Sequence, residues 1–572
     1  MTGAVKLGNK QSKAIDLPWV SNSEKANKLQ FASNACKQGW ESERSNKTLP
    51  QATIEAALWA CGKSDEEIIS FRQHVVARIC KQAHNYISTQ AMSEVQRECD
   101  PRIYKVIRDI NIPLMKALML ETGHVDKECI NLLLKGANSY GFLNIHYTHI
   151  SLMLPGGSIV GELPTSGTCE ATEQEPTSEV LERELERLQD NLGKQNWKTL
   201  SELRPDRFED ILLQEIVEEA RLGRVEEPKE VNEINLHQTL ITKRFGIEQG
   251  IRKDGTMKIR AIDDASASGL NGCCKPTDKL FCNNLDDLAE TARLRYRQGE
   301  TKLSFWKADI KAAFRRIPIS AGQRHLMASA FKTKEKTIIV EHNAMPFGTI
   351  GSVHGWHRIG QLLWHIMTTL LKLPHGRYVD DFFGVERESL VEHTTKCVQT
   401  MIDTLMGTGT AAPDKLLWGN PLTILGVDVR YHKGCIRACV EEEKAHKWCR
   451  EISEAVKTKK MSKKEAERHA GRLAFATQWT FRRMGRAMIR PFYQQAMRPL
   501  PGGAASKRLI SASKWWMRVL EERITQETKL WREPNTIDIF TDAASDPPTL
   551  AAVIFTGGKV KYTVWETDSQ FR

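Results

Sequence analysis

The 572-residue sequence has no apolar stretch that is long enough and sufficiently free of charge to span a lipid bilayer. Its longest apolar segment runs from Leu362 to Leu373, but it contains His365 and Lys372 and therefore predicts a buried helix. No apolar run near the start resembles a signal peptide. These absences predict an intracellular protein of the cytoplasm or nucleus that does not contact a membrane.

The 13 cysteines are odd in number and lack the regular spacing of a disulfide framework, which predicts a reducing compartment. One group of possible metal ligands consists of Cys435, Cys439, His446 and Cys449. Its spacing fits no standard zinc pattern, and it lies in a charged segment with helical character, so we expect no structural zinc there. No internal repeat is apparent.

The chain has 82 Lys and Arg against 71 Asp and Glu, which gives a formal net charge of +11. This excess favours a polyanionic partner such as nucleic acid, although many basic proteins bind none. A chain of this length is too long for one hydrophobic core, so we expect several domains.

Residues 1–154 predict a helical region of unknown role, without a catalytic constellation. Apolar residues recur at spacings of three and four in Ile54–Trp59, Ile68–Ile79 and Ile107–Leu120. Residues 155–180 are rich in Pro, Gly, Thr and Glu, and this composition predicts a flexible linker.

Residues 181–240 regain the helical period and predict two amphipathic surface helices that lead into the next domain. After Pro228 the pattern changes to short strand-like runs, of which two are Lys243–Ile251 and Met257–Ile262. These runs enclose Asp254-Gly255, and an Asp-Gly pair between two apolar runs predicts a β-hairpin.

Two later segments bring acidic residues to the ends of expected strands. Leu303–Asp309 alternates like a strand and closes on its acid, and Gly376–Gly384 predicts a hairpin with Asp380 and Asp381 at the tip. Neighbouring carboxylates repel each other, so the pair predicts a compensating cation. The simpler alternatives are an ordinary surface turn and, for the first acid, the N-cap of a helix beginning at Ile310. If the three acids face each other, they can hold two Mg²⁺ ions about 4 Å apart for phosphoryl transfer.

Six short motifs occur in a fixed order around these acids, between about residues 240 and 430. They are Arg252-Lys253-Asp254-Gly255 with Arg260 to Asp264, Lys307-Ala308-Asp309 with Ala313-Phe314, Met345-Pro346-Phe347-Gly348, Tyr378-Val379-Asp380-Asp381, Pro413-Asp414-Lys415, and Ile424-Leu425-Gly426. In this order they resemble the fingers hairpin, first catalytic motif, template and nucleotide loop, Tyr-x-Asp-Asp box and last palm motifs of reverse transcriptases. The third motif is similar above all to that of gypsy-like and DIRS-like retroelements.

The resemblance implies a role for each matching residue. Asp309 and Asp380 would be the principal ligands of two Mg²⁺ ions, or of Mn²⁺, with Asp381 in support. The residues implied in binding the incoming dNTP are Arg252, Lys253, Arg260, Phe314, Phe347, Gly348 and Lys415. Those implied in contacting the primer and template are Tyr378, Leu425, Gly426, Arg472, Arg482 and Arg483. Solvated surface charge is the alternative for the hairpin cations and for Lys415.

Phe314 bears on the product that the resemblance implies. In reverse transcriptases the residue five positions after the first acid is aromatic and excludes a 2′-hydroxyl. RNA-templated RNA polymerases tend to place Asp there and to have Gly-Asp-Asp in the hairpin. This chain has Phe314, and Val379 precedes its acid pair, which implies that it uses dNTPs. A core Phe on a helix after Asp309 is the alternative.

Residues 431–530 predict a helical, basic thumb or connection. The segment from 441 to 500 contains 15 Lys and Arg against 7 Asp and Glu, which suits contact with a phosphate backbone. A solvated basic face is the alternative reading of this charge. The predicted apolar helix face consists of Ala466, Ala470, Leu473, Ala476 and Trp479.

Residues 536–572 resemble the start of an RNase H domain. Thr536–Ala543 is similar to its first strand, with Asp542 in place of its first metal-binding acid, and Leu550–Phe555 and Lys559–Trp565 predict the next strands. The further acids of an RNase H site are not found before Arg572. We therefore expect a truncated segment without RNase H activity of its own.

Together these patterns predict an α+β, right-hand polymerase fold. Residues 241–430 would form the fingers and an antiparallel palm sheet, between a helical N-terminal region and the thumb. The implied function is that of an RNA-directed DNA polymerase that extends a primer with dNTPs on an RNA or DNA template. The alternatives are a non-catalytic, truncated retroelement relic that only binds nucleic acid, and an RNA-directed RNA polymerase. No protein partner is implied.

Overall fold

The computed structural model divides the chain into two compact units, residues 50–528 and residues 1–49 with 529–572. The described residues are 49–88, 90–137, 170–171, 183, 186–251, 255–274, 278–479, 485–523, 525–531, 538–545, 548–556 and 559–566. The predicted linker, residues 155–180, therefore lies outside the described residues except for 170–171. Within the described ranges no helix combines the length and the apolar character needed to cross a membrane.

Among the described residues, six helices precede the predicted linker. They are α1 (Gln51–Trp59), α2 (Asp65–Ser88), α3 (Ala91–Glu98), α4 (Pro101–Ile107), α5 (Ile112–Glu121) and α6 (Cys129–Lys135). The helix expected over Ile107–Leu120 is thus divided in two. The Asn111 side chain accepts a hydrogen bond from the Leu114 backbone N–H at 3.2 Å and caps a new helix there.

The N-terminal helices share one hydrophobic core with the segment that carries the predicted catalytic acids. Buried Ile79 and Leu118 belong to the same cluster as Trp356, Phe382 and Met401. The described part of the predicted helical region is therefore an integral part of the larger unit rather than a separately packed body.

A four-stranded sheet with strand order β3-β2-β6-β7 follows the two lead-in helices α7 (Leu192–Glu202) and α8 (Glu209–Arg221). Its strands are β2 (Ile241–Ile251), β3 (Met257–Asp263), β6 (Ala328–Lys332) and β7 (Thr337–Glu341). β2 and β3 form the predicted antiparallel hairpin, which keeps the name fingers hairpin from its predicted role, whereas β2 pairs with β6 in parallel. The short strands β1 (Glu170–Ala171) and β4 (Asp278–Lys279) pair with each other.

The central sheet is called the palm sheet below because it carries motifs that the sequence predicts for a palm; it has the strand order β10-β5-β9-β8 and is antiparallel throughout. Its strands are β5 (Leu303–Asp309), β8 (His375–Tyr378), β9 (Asp381–Arg387) and β10 (Leu417–Gly419). Three helices pack around it: α9 (Leu285–Arg297), α10 (Ile350–Leu370) and α11 (Val391–Met406). The predicted strand at 303–309, hairpin at 376–384 and buried helix near 362 are confirmed, although α10 ends at Leu370.

The rest of the larger unit is a small sheet followed by a helical bundle. The sheet order is β11 (Leu422–Ile424), β12 (Val427–His432), β13 (Cys435–Val440) and β14 (Gln526–Lys529). The bundle consists of α12 (Glu442–Thr458), α13 (Lys463–Trp479), α14 (Arg486–Met497) and α15 (Lys507–Glu521). Ala466, Ala470, Leu473 and Ala476 are buried in its core, which confirms the predicted apolar face for these four residues.

The C-terminal unit contains an antiparallel sheet with strand order β15-β16-β17. Its strands are β15 (Asp538–Ser545), β16 (Pro548–Thr556) and β17 (Lys559–Glu566), as the sequence predicts. Asp542 lies in β15 opposite Ala551, but its side chain is outside the described part of the structure. The RNase H-like character of this segment stays a prediction.

Candidate active site

The three predicted catalytic acids lie together at one end of the palm sheet. Asp309, the last residue of β5, is directly opposite Asp381, the first residue of β9. Directly opposed residues in an antiparallel pair have Cα atoms about 4.5–5.5 Å apart. Asp380 forms the turn before β9, and its carbonyl accepts a hydrogen bond from the Ile310 backbone N–H at 3.3 Å. The fold thus gathers carboxylates that are more than 70 residues apart in the chain.

A buried arginine supports the turn that carries the acid pair. Val379 has a φ of 53°, a conformation that is unfavourable for a β-branched residue. Its carbonyl accepts hydrogen bonds from Arg377 Nη1 at 2.7 Å and from Trp356 Nε1 at 3.0 Å. Gly360 makes room for this arginine, because a Cβ there would lie 2.8 Å from Arg377 Nη1. Nothing local in the sequence indicates that Arg377 and Trp356 contact this turn, so their support of it is visible only in the folded chain.

The acids lie in an electrostatic environment that suits a divalent cation. Burial and the neighbouring charge of Asp380 raise the pKa of Asp381 to about 6, although the charge of Lys307 opposes this rise. Burial likewise raises the pKa of Asp380, against opposing effects that include the charge of Arg260. Lys415 forms an ion pair with the Asp309 carboxylate. Carboxylate oxygens crowded in this way are ligands that Mg²⁺ prefers, so the donor set fits the expected ions.

The segment after Asp309 does not form the helix that the sequence offers as an alternative. No α-helix begins at Ile310: Ala312 has a φ of 52°, and a short 3₁₀ helix spans Phe314–Arg316. The acid is therefore not a helix N-cap, and Phe314 is not a core residue of an α-helix.

Three residues predicted to bind the nucleotide lie in contact in the order Phe314, Phe347, Arg260. The Phe314 and Phe347 rings have centroids 5.1 Å apart. The guanidinium of Arg260, on the fingers hairpin, lies 5.3 Å from the centroid of the Phe347 ring. The Arg260 side chain is exposed, and Phe314 is only partly buried against the core. This arrangement places two aromatic rings next to an accessible cation.

Gly348 is required for a local backbone reason. Its φ is 117°, and a Cβ would lie 1.9 Å from the carbonyl oxygen of Asp263 at the end of β3. The preceding Phe347 carbonyl accepts a hydrogen bond from the Asp263 backbone N–H at 3.1 Å. The glycine thus lets the 345–348 loop lie against the fingers hairpin, whereas its approach to a nucleotide stays a prediction.

Three of the predicted primer-contacting residues lie at or beside turns. Leu425 and Gly426 have φ values of 49° and 73° and form a partly exposed two-residue turn between β11 and β12. Lys307, two residues before Asp309, donates its ammonium to the Thr423 carbonyl in β11 at 2.7 Å. Tyr378 is exposed at the end of β8.

Only one of the three predicted thumb arginines can be placed. Arg472 donates to Glu451 at 2.7 Å, and its guanidinium lies 5.9 Å from the centroid of the Trp448 ring. It therefore has contacts within the bundle that a nucleic acid would have to share. Arg482 and Arg483, like Arg252 and Lys253 of the fingers hairpin, lie outside the described residues.

A second group of possible metal ligands lies among the N-terminal helices. The ligand atoms of His124, Asp126 and Cys129 lie within 4.8 Å of one another, and all three residues are buried. Arg358 already donates to both Asp126 carboxylate oxygens, at 2.7 and 2.5 Å. Burial raises the pKa of the Cys129 thiol to about 12, which disfavours the thiolate that a metal needs. This group therefore serves to attach the helices to α10.

No protein-family model and no curated protein matches the sequence. Among solved structures, the chain is similar to the foamy viral protease-reverse transcriptase in complex with an RNA/DNA hybrid, with a TM-score of 0.38 and 15% identity over 64% of this chain. This chain spans only 44% of that protein. Two complexes with double-stranded DNA give TM-scores of 0.39 and 0.40 and identities of 13% and 14%; the second is of a form named dRH. They cover 70% and 74% of this chain, and 83% and 71% of theirs. These TM-scores are too low to support a functional assignment. The function proposed below therefore depends on the geometry of the three acids.

Proposed function

We propose that this chain is an RNA-directed DNA polymerase, which extends a primer with dNTPs on an RNA or DNA template. The observation that carries the proposal is the register of the palm sheet, in which Asp309 is opposite Asp381 and beside the turn residue Asp380. Three carboxylates at one open end of a sheet are a suitable donor set for two metal ions in phosphoryl transfer.

In the proposed reaction the primer 3′-hydroxyl attacks the α-phosphorus of a dNTP. The new phosphorus–oxygen bond forms as the bond to pyrophosphate breaks. Asp309 and Asp380 would hold the two Mg²⁺ ions, with Asp381 in support, and bound ions would supply charge stabilisation for the attacking and leaving oxygens. The exposed guanidinium of Arg260 suits a triphosphate, since its planar fork can pair with two phosphate oxygens.

Phe314 is the residue that would select deoxyribonucleotides over ribonucleotides. Its ring contacts that of Phe347, which also lies next to the guanidinium of Arg260. A ring beneath the sugar leaves no room for a 2′-hydroxyl, which favours dNTPs over rNTPs.

Primer extension by the purified chain tests the proposal. With Mg²⁺, dNTPs and a primed RNA template, we expect incorporation that falls by at least about 10³-fold in Asp380→Asn, because the loss of a metal ligand removes charge stabilisation. The control is Glu388→Gln, which removes an exposed carboxylate just beyond β9 and should retain incorporation. Incorporation of rNTPs alone would support the RNA polymerase, and duplex binding without any incorporation would support the non-catalytic relic.

Substitution of the proposed sugar gate gives a separate test. Phe314→Val should reduce the preference for dNTPs over rNTPs by about 10- to 100-fold, the range that follows from opening a small apolar contact. Phe475→Val, at an exposed position of the bundle, is the matched control and should leave selectivity unchanged. An unaltered preference in Phe314→Val would contradict the role assigned to the ring.

The retroelement origin and the absence of RNase H activity stay predictions. We expect the chain to leave the RNA strand of an RNA/DNA hybrid intact. Cleavage that is detectable and persists in Asp542→Asn would contradict both the expected inactivity and the role of that acid.

A further inference from the structure

Arg72, in α2, lies outside every motif that predicts the active site, yet only 1% of its side chain is exposed. Its partners lie 299 to 322 positions later in the chain. Nε donates to the Leu371 carbonyl at 3.1 Å, and Nη2 to the Lys372 carbonyl at 3.4 Å. Nη1 donates to Glu386 Oε2 at 2.9 Å and to Thr394 Oγ1 at 2.8 Å. One guanidinium therefore joins three separate segments of the palm.

These segments flank the hairpin that carries the acid pair. Leu371 and Lys372 follow the end of α10 and immediately precede β8, whereas Glu386 lies near the far end of β9. Arg72 thus joins the two strands of the β8–β9 hairpin at the end opposite the turn that carries the acids. Lys372 has a φ of 50°, which is unfavourable for a residue with a side chain, so the bond to its carbonyl supports a strained connection.

The arginine also belongs to a balanced, buried charge network. Glu386 is fully buried and accepts hydrogen bonds from Arg72, Arg295 and the Arg387 backbone N–H. Three arginines and three carboxylates make up the network: Arg72, Arg295, Arg387, Glu386, Glu300 and Asp65. A buried network in which each charge has a partner holds its strands in one arrangement, and the loss of one member leaves an uncompensated charge.

We propose that Arg72 is a positioning residue for the β8–β9 hairpin, which carries Asp380 and Asp381. Through this residue, α2 would support the active site. Arg72 joins the connection before β8 to the end of β9. It thereby fixes the position of Asp380 and Asp381 relative to Asp309. The kinetic consequence rests on the proposed polymerase function, whereas the effect on the hairpin can be measured without it. The sequence assigns no role to this helix.

The test uses the full chain with Arg72→Met and Arg72→Lys. Lysine keeps the charge of the network but cannot span the two carbonyls and the carboxylate, because its three donors project from one atom. The matched controls are Arg78→Met and Arg78→Lys. Arg78 lies in the same helix and pairs with Glu121 at the surface, with 37% of each side chain exposed.

Two measurements decide the outcome. Amide hydrogen exchange in residues 375–387 should become at least tenfold faster in both Arg72 variants and stay unchanged in both Arg78 variants. The kcat of dNTP incorporation should fall at least tenfold in Arg72→Lys, while the KM for the primed template changes less than twofold. If Arg72→Met does not fold, the lysine variant still provides both measurements.

The opposite results are equally clear. Parental exchange and kcat in Arg72→Lys would show that the residue supplies only charge to the core, and would overturn the proposal. If the parent chain incorporates no nucleotide, the proposed function fails, and hydrogen exchange alone decides whether Arg72 positions the hairpin.

Discussion

Strand β9 carries two acidic residues whose pKa values shift in opposite directions. Burial by itself would raise the pKa of both carboxyl groups. At Glu386 the charges of Arg295 and Arg72 outweigh burial and lower the pKa to about 2. At Asp381 the charge of Asp380 adds to burial, and the pKa rises to about 6. The two positions are five residues apart on the same strand, so the partners and not the strand decide the direction.

The difference separates a structural carboxylate from a functional one. At the far end of β9 the protein supplies its own counter-charges and excludes water, which stabilises one arrangement of strands. At the tip neither Asp380 nor Asp381 forms an ion pair with a described residue, and Lys415 beside Asp309 is about half exposed. Carboxylates without an ion-pair partner at the end of a sheet are suited to bind cations from solution. Three substitutions test this comparison.

The largest expected effect is at the far end. Glu386→Ala should lower the free energy of unfolding by about 3–5 kcal/mol, because Arg72 and Arg295 lose their buried partner. Glu388→Ala removes an exposed carboxylate two residues away and should change stability by less than about 0.5 kcal/mol. Urea unfolding of both variants measures the difference. Equal losses in the two variants would show that Glu386 is not the structural carboxylate.

Removal of a carboxylate at the tip should change the free energy of unfolding in the opposite direction. The folded-state pKa of Asp381 lies above its ordinary value of 3.8, so the charged form destabilises the metal-free fold above pH 6. Asp381→Asn should therefore stabilise the metal-free protein by about 1–3 kcal/mol at pH 8. This gain should shrink as the pH falls through 6 and vanish near the ordinary carboxyl pKa.

The response to Mg²⁺ gives a second measurement on the same substitution. Addition of Mg²⁺ at pH 8 should raise the Tm of the parent and of Glu388→Gln, but should raise that of Asp381→Asn much less, because a ligand has been removed. A destabilised Asp381→Asn in metal-free buffer, or an undiminished response to Mg²⁺, would remove the distinction between the two ends of β9.

The smallest expected effect is at Lys307. Its charge opposes the rise in the pKa of Asp381, so Lys307→Met should raise that pKa further. The pH midpoint of Mg²⁺-induced stabilisation should then move upward by about 0.5 units, an effect below about 1 kcal/mol. Lys311→Met, at a nearby exposed position, is the control and should leave the midpoint unchanged. A downward shift in Lys307→Met would contradict the sign of the interaction.

The parts of the site that were predictable from sequence depend on local pattern. β5 and the β8–β9 hairpin follow from alternating, β-branched and aromatic residues, and the acids fall at positions where a strand ends or turns. The fingers hairpin follows equally from Asp254-Gly255 between two apolar runs. Such signals need only neighbouring residues, so they are present in the chain before it folds.

The alternative interpretation of Asp309 as the N-cap of a helix was wrong because tertiary hydrogen bonds compete with that helix. The backbone N–H of Ile310 donates to the Asp380 carbonyl, and that of Lys311 donates to the Thr410 carbonyl at 2.9 Å. The Asp309 carbonyl accepts from the Ala412 backbone N–H at 3.0 Å. In a helix capped by Asp309 this carbonyl would accept the first intrahelical bond, so its bond to Ala412 competes directly with the helix. Helix propensity is a weak preference, and these contacts override it.

By itself, the sequence determined the strands, the turns and the acids that the turns present, because strand and turn preferences act over a few neighbouring residues. The tertiary structure alone decided which charges meet. It brings Arg72 and Arg295 to Glu386, supports Val379 with Arg377 and Trp356, and leaves Asp380 and Asp381 without an ion pair to any described residue. Burial and pairing across some 300 positions set these energies, and no local pattern encodes such contacts.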